Sequence, residues 1–270
     1  MKRLIAAASA ALMLMAAPVI AAEAPTVYIW ISFIKAKPGQ GDALVKEMIK
    51  EDGKTLDALV DGGQALDWGV AMPVFHDGKD PYSHVEWVSF NGWAGADAFM
   101  NKFAEVRKAM GEAGNMAAAE RWAAMVEPGS HADLVLRVLH NGQGTSTEPE
   151  RYIDLSYTKA QPGKFGDLRR AYNDYVPPVN DKLVADGTIL AYGLATPAVH
   201  RGEDWTFMSW TSLGNLTALD KIEAAFDAAE AARSEEENKT MQQRFQDSSD
   251  WSGHRDQTLM VLHRKVSEPK

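Results

Sequence analysis

Two residues of this 270-residue chain are spaced to do chemistry together: His84 and Glu86, in the stretch "SHVEWVSF". As a strand, that stretch points both side chains to one face. A carboxylate beside an imidazole orients the ring and raises its basicity, which suits a general acid or base. Arg137 interrupts an apolar run, "LVLRVLH", and can hold an anionic or enolate oxygen. There are seven histidines, and six pair up at a near-constant spacing: His76 with His200, His131 with His254, His140 with His263. His84 has no such partner, since Phe207 takes the matching place. Asp follows two residues after His131 and His254, which reads as a repeated loop bond from imidazole to carboxylate. With no cysteine and no HxH or HExxH spacing, the histidines supply no metal set. His76 and His200 each follow a strand and are placed at the mouths of a pocket.

Stepping from these residues to what must position them, the chain repeats itself. "YIWISFIKAKPG" (28–39) returns as "YIDLSYTKAQPG" (152–163), and "WGVAMPVFHDG" (68–78) as "YGLATPAVHRG" (192–202). The offset is 124 residues and then 123, with one residue lost from the second copy. Self-similarity over this length is duplication. The linker is "NGQGTSTEPER" (141–151), polar and bearing Gly and Pro.

Each copy opens with an alternating strand ended by Pro-Gly. A helical stretch follows, broken at Gly53 in one copy and at Pro177-Pro178 in the other, where a missing amide donor and ring clash must split the helix. Two strands, Ala-rich helical segments and a last strand complete the unit. The order is βαββαβ, with an extra helical piece before the last strand. Such a unit makes an antiparallel sheet with helices on one face, and the bare face must bury against something. A second copy supplies it. The expectation is α+β: two tandem ferredoxin-like repeats whose sheets meet and enclose a lumen. The element order and the duplication resemble the dimeric α+β barrel superfamily, here fused in one chain. The resemblance implies haem enzymes, cofactor-free monooxygenases, isomerases or lyases alike, so fold alone fixes no function.

Strand alternation predicts that Ile29, Ile31, Phe33, Val85 and Trp87 meet the helices. Trp30, Ser32, His84 and Glu86 then face the lumen, with Arg137 beside them and Tyr152 and Asp154 across from them. A slip of one residue reverses every such assignment. The expected site is therefore His84, Glu86 and Arg137 as catalytic groups, with Trp30, Ser32, Tyr152, Asp154, His76 and His200 binding the ligand.

The first residues, "MKRLIAAASAALMLMAAPVIAAEAP", have a basic start, a short apolar run and small residues, the order of a secretory signal peptide cut after Ala22. The expected units are 1–22 (signal peptide), 23–140 (first repeat), 141–151 (linker) and 152–270 (second repeat), in a periplasmic or secreted protein. Cutting removes Lys2 and Arg3 and no acid, moving the formal charge from -9 to -11. So acidic a chain has no general attraction to nucleic acid or anionic lipid. No later stretch is apolar enough to span a bilayer, so no membrane partner is expected after cleavage. The expected partner is a small molecule, and the fused pair predicts a mainly monomeric protein. Dinucleotide, P-loop and GxSxG motifs are absent. Three functions remain: an enzyme of proton-transfer, lyase or cofactor-free oxygenase type acting in the lumen; a non-catalytic binding protein; and a haem protein. No cofactor is required by any motif, and haem stays open.

Overall fold

The computed structural model describes residues 25–75, 81–199 and 202–267. The first half runs β1 (Val27–Ile34), α1 (Gly41–Glu51), α2 (Gly53–Asp61), β2 (Asp67–Pro73), β3 (His84–Asn91), α3 (Gly92–Met125) and β4 (Ala132–Gln143). The second runs β5 (Tyr152–Ala160), α4 (Phe165–Tyr175), α5 (Pro177–Ala185), β6 (Ala191–Pro197), β7 (Phe207–Leu213), α6 (Ala218–Ala231), α7 (Glu235–Ser248) and β8 (Ser249–Val266). The helix breaks fall where Gly53 and Pro177-Pro178 require them. α3 bends at Gly111, whose φ of 67° is in the left-handed region that glycine enters without penalty. No helix among the described residues is long and apolar enough to cross a membrane.

All eight strands close into one antiparallel barrel in the order β1-β3-β2-β8-β5-β7-β6-β4. Each half supplies four adjacent strands, and the halves join through β2 with β8 and β4 with β6. Closure leaves no edge strand to recruit a foreign chain.

The barrel interior is apolar. Ile31, Val85, Trp87, Leu134, Leu155 and Tyr157 form one buried cluster there, with Ile29 and Phe33 against it. Trp87 and Trp210 lie flat across Gly69 and Gly193, where a Cβ would stand 2.4 Å and 2.2 Å from the indole. Only glycine leaves room for that ring. The opposite faces of the same strands carry the helices: Ile34, Val88 and Phe90 pack with Leu44, Met48 and Leu56, and Tyr28 and Trp30 join them.

This reverses the expected faces. Ile29, Ile31, Phe33, Val85 and Trp87 point inward, and Trp30, Ser32, His84 and Glu86 point outward, beneath the helices. The physical reason is closure. A closed barrel shuts its inward face off from bulk solvent, which favours the more apolar of the two faces there. The helix-covered face reaches solvent between helices and tolerates a carboxylate or an imidazole. Both faces of these strands carry large apolar residues, so alternation alone did not choose between them.

Polar groups enter the interior mainly near one end. There Arg264 donates to Asp67 at 2.7 Å and also bonds Glu150, while Ser89 donates to Asp67. The junctions between halves are also tied reciprocally. Tyr192 donates to Asp181 at 2.6 Å and meets His140 from the other half at 3.0 Å. Trp68 donates to Asp57 at 2.8 Å and stacks on His263 from the other half, with ring centres 4.4 Å apart.

Candidate functional site

The predicted pair His84 and Glu86 does share a face, and the register sets Ser32 opposite Glu86 and next to Asp133. Asp133 accepts from Ser32 Oγ at 2.6 Å and Trp30 Nε1 at 3.2 Å, and pairs with His131 at 3.1 Å. Burial would raise its carboxyl, but the bonds from His131, Ser32 and Trp30 outweigh that and hold it at about 2. Those same bonds hold Trp30 and Ser32 in a structural set. Glu86 keeps some exposed surface, yet its Oε1 is sealed from solvent with no hydrogen-bond partner. Burial, with Asp52 and Asp133 adding like charge, pushes Glu86 well above the usual carboxylate range. Asp52, at the α1–α2 break, is raised to about 6 by burial and then by Glu51 and Glu47. His84 is buried, held at Nδ1 by Ser83 Oγ at 2.8 Å, and burial lowers its pKa. This is a compact polar set inside the first half's core.

The other predicted residues do not join it. Arg137 is exposed and sits in the register row of Tyr28 and Phe90, four residues from Glu86's row. At about 3.3 Å per residue that is about 13 Å away. Tyr152 packs outward with Leu213 and Ile189 in the second half. Asp154 accepts from Thr258 Oγ1 at 2.8 Å, and burial raises its pKa. The filled barrel separates both from His84, so they do not face it across a lumen. His76 and His200 lie outside the described residues. Among the described residues no group of three or more His, Asp or Glu is arranged to hold a metal ion.

A hollow with apolar walls lies in the second half, on the outer face of the sheet. A cleft of about 90 Å³ opens between α4, α7 and strands β5 to β8. Leu168, Leu194, Phe207 and Phe245 make its apolar walls, and Thr158 and Ser209 contribute hydroxyls. Tyr172 closes one side, its hydroxyl donating to the Gly193 carbonyl at 3.4 Å, and burial raises its pKa. Arg169, His254 and Trp251 stand at the mouth. Arg169 forms no ion pair among the described residues. His254 Nε2 meets Asp256 at 3.2 Å, and Trp251 is edge-on to the imidazole at 5.2 Å. β8 makes this mouth possible. Between Tyr157 and Lys159 the β5–β8 register slips, so that residues 251–254 bulge outward opposite Thr158 alone.

The repeat offset makes this the counterpart of the first half's polar set. Tyr172 stands where Met48 does, Phe207 where His84 does, Ser209 where Glu86 does, and His254 where His131 does. Sequence reasoning read His254 as a loop bond in preference to a metal ligand and gave Arg169, Tyr172 and Phe245 no role. The available signal was the exchange of Glu86 for Ser209, a long side chain for a short one at a covered position.

A haem does not fit this cleft. Drug-sized ligands occupy about 300–1,000 Å³, several times the space here, and the imidazole stands at the mouth rather than over an enclosed apolar slot.

The sequence matches no protein-family model and no curated protein. Similar solved structures do exist. A proposed monooxygenase from Fusobacterium nucleatum superposes with a TM-score of 0.59 at 9% identity, covering 90% of this chain and 95% of its own. A proposed monooxygenase from Lactobacillus acidophilus gives 0.58 at 9%, over 90% and 97%. An anthrone oxidase-like protein gives 0.52 at 14%, over 92% and 95%. At these identities the likeness is one of fold: this chain builds a dimeric α+β barrel within a single polypeptide.

Proposed function

We propose that this is an exported small-molecule-binding protein whose ligand lies in the second-half cleft. The observation that carries it is the pairing of apolar, ring-bearing walls with Arg169, which forms no ion pair among the described residues, at a place the first half fills with packed side chains. Apolar walls with a few placed polar groups are the ordinary make-up of a ligand site. The ligand is small and largely apolar, with one ring seated between Phe207 and Phe245 and any anionic oxygen toward Arg169. Export rests on the leader at 1–22. The duplicated sequence, with strand orders β4-β1-β3-β2 and β8-β5-β7-β6, supports two tandem ferredoxin-like repeats at 23–140 and 152–270, joined by 141–151. Internal closure supports a monomer.

The second reading is turnover in the same cleft, of cofactor-free oxygenase type. It is favoured by two fold neighbours being described as monooxygenases. The test is a panel of single-ring compounds screened by ligand-observed NMR against the chain and its Ser209→Trp variant, which fills the cleft. Hits should vanish in the variant while its circular dichroism stays native. Hits that persist in the variant would overturn the cleft. Oxygen uptake with a hit separates turnover from retention.

A further inference from the structure

Resting on the cleft reading, we infer that His254, positioned by Asp256, is the cleft's proton acceptor, and that the cleft takes ligands bearing an ionisable O–H, which it binds as the oxyanion. A neutral imidazole has one N–H and one lone pair. His254 Nε2 lies 3.2 Å from Asp256 Oδ2, which favours the tautomer that carries the proton on Nε2. That leaves Nδ1 as the acceptor, and it has no partner among the described residues. Trp251, edge-on to the ring at 5.2 Å, limits how the imidazole can turn.

The step is a proton transfer. The ligand O–H bond breaks and a new N–H bond forms at Nδ1. The electron pair stays on the ligand oxygen, and no oxidant or reductant is involved. The oxyanion gains Arg169, whose guanidinium is free of ion pairs among the described residues. The imidazolium that forms keeps Asp256 as counter-ion. The other ionisable groups around the mouth are already engaged: Tyr172 points its proton at the Gly193 carbonyl, and Lys159 pairs with Asp250 at 3.4 Å. The first half has the same imidazole–carboxylate pair in His131 and Asp133, but Asp133 is also bound by Ser32 and Trp30. The second pair, by contrast, opens on a cleft that also carries a cation.

The test uses 4-nitrophenol, whose ionised form absorbs separately from the neutral one, with nitrobenzene as the probe that lacks the O–H. Both are titrated into the full chain, following tryptophan quenching and the nitrophenolate band. The ratio of ionised to neutral nitrophenol should be about tenfold higher when bound than when free, a shift of about one pKa unit. His254→Gln should abolish that shift while nitrobenzene still binds. Asp256→Asn should shrink it and Asp256→Glu restore it, a pattern that a merely structural carboxylate would not give. His254 is only partly buried, so melting temperatures should stay close to that of the parent. Nitrophenol that binds with unshifted ionisation, or with a shift unchanged in His254→Gln, overturns the assignment and leaves the cleft standing. If neither probe binds the parent chain, the cleft reading falls and this inference with it.

Discussion

Beneath α1 and α2 the first half buries one continuous cluster, running from Ile34 through Met48 and Val70 to Val126. Beneath α4 and α5 the matching residues of the second half form two separate clusters, one around Leu213 and Tyr192, the other around Leu168 and Phe207. The cleft borders the second of these. The backbone plan is shared, so side chains make the difference. Where the first half closes its core with Met48, Glu86 and Trp122, the second offers Tyr172, Ser209 and Phe245. The first half fills the place and leaves one carboxyl oxygen, Glu86 Oε1, without a partner. The second gave up that filling and left space. Two halves with one backbone plan can thus differ, one packed as scaffold and the other carrying a cleft.

The largest expected effect comes from a matched pair of leucines. Leu44 is fully enclosed, and Leu44→Ala should cost about 2–5 kcal/mol in urea unfolding, the range for a buried leucine truncated beside rigid neighbours. Leu168 borders the cleft, so Leu168→Ala should cost the bottom of that range or less and widen the cleft instead. Equal losses would mean that the two halves are packed alike.

Next is Glu86. Burial, Asp52 and Asp133 raise its folded-state pKa. The stability linked to it is therefore complete below the ordinary Glu range and lost as pH rises through the raised value. Glu86→Gln removes the charge and should stabilise the protein by about 1–3 kcal/mol near pH 8, with little gain near pH 4. A gain that does not grow with pH would remove the unpartnered acid from the account.

Asp133 has the opposite sign. Its carboxyl is held at about 2, so its contribution is present above the ordinary Asp value and lost as pH falls toward about 2. Asp133→Asn should cost about 1–2 kcal/mol at neutral pH, whereas Asp256→Asn, at an exposed pair, should stay within about 0.5 kcal/mol. Thermal melts of the two variants side by side check this.

Among the buried positions, the smallest effect is expected for His84→Phe. The second half already places Phe207 there, buried to the same degree. The change gives up the bond to Ser83, so a net cost below about 1 kcal/mol is expected in the same assay. A cost above 2 kcal/mol would show that the two positions are not equivalent in shape.

The sequence made the strands, the helix breaks and the pairing of halves readable, because each rests on local chemistry: Pro-Gly after β1 and β5, Gly53 and Pro177-Pro178 in the helices, and a repeat of constant offset. It did not reveal which sheet face looks inward. That depends on whether two apolar faces meet each other or meet helices, and Trp30 and Ile31 are equally plausible buried residues. That His84 and Glu86 share a face was readable and the four register rows that part Arg137 from Glu86 were not, because adjacency on a strand is local and adjacency across rows is not. The cleft was invisible for a further reason. It is made by a slipped register at residues 251–254 and by the absence of bulk at Ser209, and neither leaves a motif.

The pairing of β2 with β8 joins residue 67 to residue 266, almost the full length of the described chain. During synthesis, β2 is complete long before its partner exists. Until β8 emerges, the first half presents an unpaired strand and an uncovered apolar sheet face, the kind of surface on which chains aggregate. Folding therefore cannot finish from the N-terminus onward, and contacts this distant in sequence make it slow. A stop codon that removed only the last strand would do more than shorten the protein: it would strand two edges at once, at β2 and at β5, and turn a closed molecule into a sticky one.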